Sequence, residues 1–94
     1  MNYVDQVIES RSYFRDKTSK LKYVEKVYDS YGNFLLLKFS DAEIKYKLYE
    51  KLAENKIFVR DLKHDPVLEN TLRFTIGLKN QMDKVLGVLE STLI

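Results

Sequence analysis

Two arginines set among apolar residues are the side chains of this sequence best placed to do chemistry. Arg60 follows Ile57, Phe58 and Val59, and Arg73 stands in the run LRFTIG at 72–77. In that second run Leu72, Phe74 and Ile76 alternate with Arg73 and Thr75. Strand side chains repeat with a period of two, so the three apolar residues are predicted to enter a core while Arg73 and Thr75 face away from it. A single arginine in such a setting reads as a solvated charge, because charges are seldom buried unpaired. Two arginines on strands joined by one loop, residues 62–71, point instead to an anion site. The guanidinium fork matches the geometry of carboxylate and phosphate.

Other reactive groups are sparse. His64, the only histidine, sits beside Asp65. The two read as a surface pair, with no second histidine to complete a metal site and no serine or cysteine nucleophile suitably placed. The absence of cysteine excludes disulfides, thiolate metal sites and a cysteine nucleophile, and fits a reducing compartment. There is no glycine-rich loop. A net charge of +2, from 16 basic and 14 acidic residues, without a stripe of lysines or arginines, argues against nucleic acid as a partner. No stretch approaches the roughly 20 apolar residues of a membrane-spanning helix. The opening MNYVDQVIES lacks the basic and apolar regions of a signal peptide, so a cytoplasmic location is expected.

The elements that must position the arginines can be read in outline. Residues 1–94 form one small domain, large enough to bury roughly 60–70% of the unfolded surface. Residues 2–17 are predicted as a helix with Val4, Val7, Ile8, Arg11 and Phe14 on its inner face, broken by Thr18, Ser19 and Lys20. An edge strand at 23–29, a turn at Ser30, Tyr31, Gly32 and Asn33, and the apolar run FLLLKF at 34–39 make a hairpin, its second strand buried on both faces. Ser40 with Glu43 has the spacing of a capping box. Ile44, Leu48 and Leu52 then form a helical stripe with Tyr49 beside it, and Asn55 stops that helix. After the two arginine strands and Gly77, residues 79–91 read as a helix with Met82, Val85, Leu86, Leu89 and Leu93 on one side. Gly87 within it costs about 1 kcal/mol against alanine, which close packing on the sheet would explain. The order α-β-β-α-β-β-α implies an α+β fold, a small and mostly antiparallel sheet with helices on one face.

The sequence VRD at 59–61, followed by a loop and LENTLRFTIG at 68–77, resembles the C-terminal small domain of the histidinol-phosphate aminotransferases, which are fold-type I enzymes dependent on pyridoxal phosphate. The resemblance continues through YDSYGNFLLLKF at 28–39 and covers roughly residues 10–90. It implies that Arg73 binds a substrate α-carboxylate, that Arg60 helps hold a substrate phosphate, and that Asn33 supports the cleft. It further implies amino transfer between histidinol phosphate and glutamate, a homodimeric full-length enzyme, and a large cofactor-binding domain ahead of this one. The lysine that carries the cofactor in that family is not matched here. Lys20 lies in TSKLK at 18–22, without the aromatic residue and the glycine-x-arginine that follow the family's lysine. The chain is therefore expected to be a domain fragment or a truncated gene product, with no pyridoxal phosphate bound to it.

Two alternatives stand beside this reading. The small domain of a related aromatic-amino-acid aminotransferase would share Arg73 and need not keep Arg60. A non-enzymatic α+β interaction domain would dock a partner on the open sheet face, to which seven tyrosines would be suited. Geometry separates the aminotransferase reading from the last, since only the former requires Arg60 and Arg73 to converge on the side opposite the helices. Of itself the chain should not transaminate. Turnover of histidinol phosphate and 2-oxoglutarate by the purified 94-residue chain with added cofactor would contradict that expectation.

Overall fold

The computed structural model describes residues 2–29 and 32–92. Helix α1 (Tyr3–Ser19) is followed by strands β1 (Val24–Asp29) and β2 (Phe34–Phe39), helix α2 (Ala42–Glu54), strands β3 (Arg60–Asp61) and β4 (Thr71–Thr75), and helix α3 (Lys79–Thr92). A single 3-10 turn at Pro66–Leu68 lies between β3 and β4. This is the expected α-β-β-α-β-β-α order. The sheet runs β1-β2-β4-β3 and is antiparallel throughout.

Alternation along the strands decides which face is covered. Leu35, Leu37 and Phe39 of β2 are buried together with Leu72, Phe74 and Ile76 from β4 and the segment after it. Phe14 of α1, Leu48 and Leu52 of α2, and Met82, Val85, Leu86 and Leu89 of α3 complete this core. The Phe14 and Phe74 rings meet at 5.7 Å between centroids. All three helices therefore lie on one face of the sheet. Tyr23 closes one end of the core. Its ring stacks on Phe39 and its hydroxyl donates to the Leu89 carbonyl, and burial pushes its pKa up to about 12.

Several local expectations are corrected. The inner face of α1 is Val7, Ser10, Phe14 and Thr18, whereas Val4 and Ile8 are more than half exposed. Ser10 and Thr18 can be buried because their hydroxyls donate to the carbonyls of Gln6 and Phe14, four residues back. For that reason Thr18 and Ser19 continue the helix instead of breaking it. Strand β2 is buried on one face only, since Phe34, Leu36 and Lys38 on the other are half-exposed. The N-cap of α2 is Asp41, whose carboxylate accepts from the Ile44 amide at 2.8 Å, and not Ser40. Asn55 is the C-cap as expected. Residues 57–59 lie outside the ladder, so the first arginine strand is only two residues long. Gly87 is exposed and a Cβ there would meet nothing, so sheet packing does not explain it. Gly32 does have the positive φ of a turn glycine, +63°. Ser30, Tyr31 and Leu93 are outside the described residues.

Helix α1 is fastened to the β1–β2 corner by charge. Asp29, at the end of β1, pairs with Arg15 and, at 3.4 Å, with Arg11, whose Nη1 also donates to the Gly32 carbonyl at 3.1 Å. The hydrogen bond from Arg15 is the main cause that holds the Asp29 carboxyl below the usual carboxylate range, against a smaller opposing effect of burial.

Two outcomes are expected from this packing. Phe14→Ala should destabilise the chain by about 3–5 kcal/mol in urea unfolding, while Ile8→Ala should stay within about 0.5 kcal/mol. Equal effects would contradict the observed face of α1. Asp29 titrates lower when folded than its unfolded value of about 3.9, so its tether is complete above that pH and is lost as pH falls through the depressed folded value. Carbon-detected NMR titration of the carboxyl should show the lowered midpoint, and Arg15→Gln should move it back up.

Candidate functional site

The site is built from the sheet face that the helices leave open. In the β3–β4 ladder Arg60 lies directly opposite Arg73. Residues so paired share a face and place their Cβ atoms about 4.5–5.5 Å apart. Leu72, Phe74 and Ile76 are buried on the helix side, so Arg73 and Arg60 both point away from the helices. The sequence-derived requirement that they converge there is met. Arg73 is half-buried and Arg60 is exposed.

Neighbouring strands furnish the floor. Phe34 pairs with Thr75, and Leu36 pairs with Arg73 on one side and Tyr28 on the other. The Arg73 guanidinium lies 4.2 Å from the centroid of the Phe34 ring, a cation–π contact that restrains it without neutralising it. One step along the ladder Lys26 pairs with Lys38, and the Lys26 ammonium lies 4.9 Å from the Tyr28 ring centroid. Among the described residues this face thus carries Arg60, Arg73, Lys26 and Lys38, and neither arginine takes part in an ion pair. The strand aspartates face the other way. Asp29 is opposite Leu35 and Asp61 opposite Leu72, both buried on the core side, and helix cations neutralise them. Asp29 is held by Arg11 and Arg15, and Asp61 by Lys45 at 3.0 Å.

Two like charges directly opposite each other disfavour strand pairing by roughly 0.2–1 kcal/mol. An anion bridging the guanidiniums would convert that repulsion into charge-assisted hydrogen bonds. Arg60 and Arg73 can therefore clamp a carboxylate or a phosphate, and offer two anion positions at different depths. Asn33 supports the corner: its carbonyl accepts from the Ile76 amide at 2.6 Å and its Nδ2 donates to the Ile76 carbonyl at 3.3 Å. These bonds tie the start of β2 to the segment that follows Arg73. His64 is exposed and the Asp65 carboxylate accepts from the Val67 amide, a loop role that fits the surface reading.

The residues present do not fit pyridoxal phosphate. Lys20 is 69% exposed at its side chain and is paired with Asp16 on the surface of α1. The buried lysine, Lys45, is committed to Asp61. The reading of the sequence missed Phe34 beneath Arg73, and also the Lys45–Asp61 pair. Period-two alternation carried a signal for the second: if Arg60 faces out, Asp61 faces the core and needs a cation.

The profile of the aminotransferase class I and II family matches residues 1–89. A histidinol-phosphate aminotransferase of Flavobacterium psychrophilum is 35% identical over 95% of this chain and 25% of its own length. One from Xanthomonas campestris pv. campestris is 46% identical over 71% of this chain and 18% of its own. The chain spans about a quarter or less of the curated relatives it matches. In structure it is similar to the histidinol-phosphate aminotransferase from Clostridium acetobutylicum, with a TM-score of 0.79 and 22% identity over 93% of this chain and 26% of that one. It is similar also to a decarboxylase from Sulfurospirillum multivorans, with a TM-score of 0.77 and 24% identity over 95% of this chain and 23% of that one. These two likenesses show the fold, which the two activities share.

Proposed function

The chain belongs to the aminotransferase class I and II family, and we propose that it is the substrate-binding small domain of a histidinol-phosphate aminotransferase. The observation that carries the proposal is the placement of Arg60 opposite Arg73 on the face without helices. Arg73, the deeper of the two and stacked on Phe34, takes the α-carboxylate of glutamate. Arg60, at the exposed edge, takes the phosphate of histidinol phosphate. The two substrates use one site in turn, so their anions need two positions, and one cross-strand pair provides both.

Binding and orientation are what these side chains contribute. A guanidinium fork fixes the plane of the carboxylate as well as its position, and each charge-assisted bond is worth roughly 1.5–3 kcal/mol. Pyridoxal phosphate, which supplies the electron sink of amino transfer, has no fitting residues here and belongs to a larger cofactor-binding domain. The exposed apolar side chains Tyr3, Val4 and Ile8 on α1 are suited to packing against that domain. A cytoplasmic, homodimeric full-length enzyme completes the reading.

In a full-length protein carrying this domain, Arg73→Gln should lower kcat/KM for glutamate by about 10- to 150-fold, the loss of one charge-assisted bond. Arg60→Gln should lower kcat/KM for histidinol phosphate by a similar factor and leave glutamate within about threefold. Steady-state kinetics of both half-reactions check this. Indifference of both substrates to both substitutions would favour a non-enzymatic docking face instead.

A further inference from the structure

We propose that the buried Lys45–Asp61 ion pair is the positioning device for Arg60, and that Lys45 is therefore a determinant of phosphate binding although it faces away from the ligand. This inference rests on reading Arg60 as an anion ligand.

Strand β3 is short and has a bonded neighbour on one side only. It comprises Arg60 and Asp61 alone, lies at the sheet edge, and pairs only with β4. Just before it Ile57 and Val59 pack against the core while Phe58 is 79% exposed, and after it comes a loop with one 3-10 turn. The ladder also sets Arg60 against Arg73, a repulsion that pushes β3 outward.

Asp61 opposes that push. Its Oδ1 accepts from Lys45 Nζ at 3.0 Å and from the Lys63 amide at 3.1 Å. Lys45 projects from the first turns of α2 with its side chain 3% exposed, and Asp61 is 15% exposed. The Lys45 ammonium also lies 4.4 Å from the Tyr46 ring centroid. A pair this deep cannot lose one partner without leaving the other charged in a dry setting. Because successive strand residues point to opposite faces, fixing Asp61 toward α2 fixes Arg60 toward the open face. Arg73 needs no such device. Strand β4 is bonded on both sides, and Leu72 and Phe74 anchor it in the core. The consequence is selective: loss of Lys45 should impair the Arg60 position and spare Arg73.

The test follows the arginine Nε–H signals of the 94-residue chain by NMR during titration with inorganic phosphate and, separately, glutarate. In the wild type, phosphate is expected to shift both arginine signals. In Lys45→Met the apparent Kd read at Arg60 should rise about tenfold, the size of one charge-assisted bond, while glutarate binding read at Arg73 stays within about twofold. Lys45→Arg, which keeps the pair, should restore the Arg60 response. A folded Lys45→Met chain with an unchanged Arg60 response, or with both sites weakened equally, would overturn the proposal. If Lys45→Met does not fold, Lys45→Gln, which removes the charge of the pair but keeps a polar side chain, carries the same comparison. Loss of fold in both reduces the pair to a structural role and overturns the proposal. A wild-type chain in which Arg60 ignores phosphate overturns the anion-site reading itself, and this inference with it.

Discussion

The antiparallel register that sets Arg60 across from Arg73 is the constraint on which the open face depends. It is an unfavourable contact in itself, two like charges on adjacent strands, neither of them in an ion pair among the described residues. The sheet tolerates it because the cost is small, roughly 0.2–1 kcal/mol for such a pair. Burial of a Leu or Phe side chain contributes about 1.5–3 kcal/mol, and the other face of the sheet buries several. Core packing thus secures β4 and holds Arg73 in place. The edge strand, short and lacking a second neighbour, has Val59 against the core and the Lys45–Asp61 pair on its inner side.

Charge is sorted by face. The strand aspartates turn toward the helices, where Arg11, Arg15 and Lys45 neutralise them. Strand cations turn away, where Phe34 and Tyr28 give Arg73 and Lys26 an aromatic surface to lie on. An aromatic ring attracts a cation through its quadrupole but does not cancel its charge. The open face therefore keeps its positive potential and gains order, the two properties an anion site needs. This sorting also accounts for the weak net charge of the chain, +2, coexisting with a cationic face.

Much of this was legible before any coordinates. The alternation of Leu72, Phe74 and Ile76 with Arg73 left one reading of β4, and the turn glycine and the Asn55 stop followed from backbone preference. The phase of α1 was not legible, because its apolar residues define two overlapping stripes. The buried one includes Ser10 and Thr18, polar residues whose hydroxyls are satisfied within the helix. In β2 the run FLLLKF is apolar on both faces, so no alternation betrays that Phe34 and Leu36 line a surface. The cap of α2 was ambiguous by one residue, since Ser40 and Asp41 both suit the position. Lys45 reads from sequence as one more helix-surface cation. Only the inward turn of Asp61 reveals its burial, and that turn depends on a strand of two residues. At the site, the paired arginines were foreseen and their aromatic floor was not.

The central claim is that Arg60 and Arg73 give the helix-free face two adjoining anion positions, Arg60 at the exposed edge and Arg73 deeper. The most direct measurement is a crystal structure of the chain soaked with inorganic phosphate. The account predicts a tetrahedral anion on the Arg60 guanidinium, on the side of the sheet away from the helices, with Arg73 still stacked on Phe34. Phosphate held elsewhere on that face, as between Lys26 and Lys38, with Arg60 and Arg73 turned apart, would contradict it.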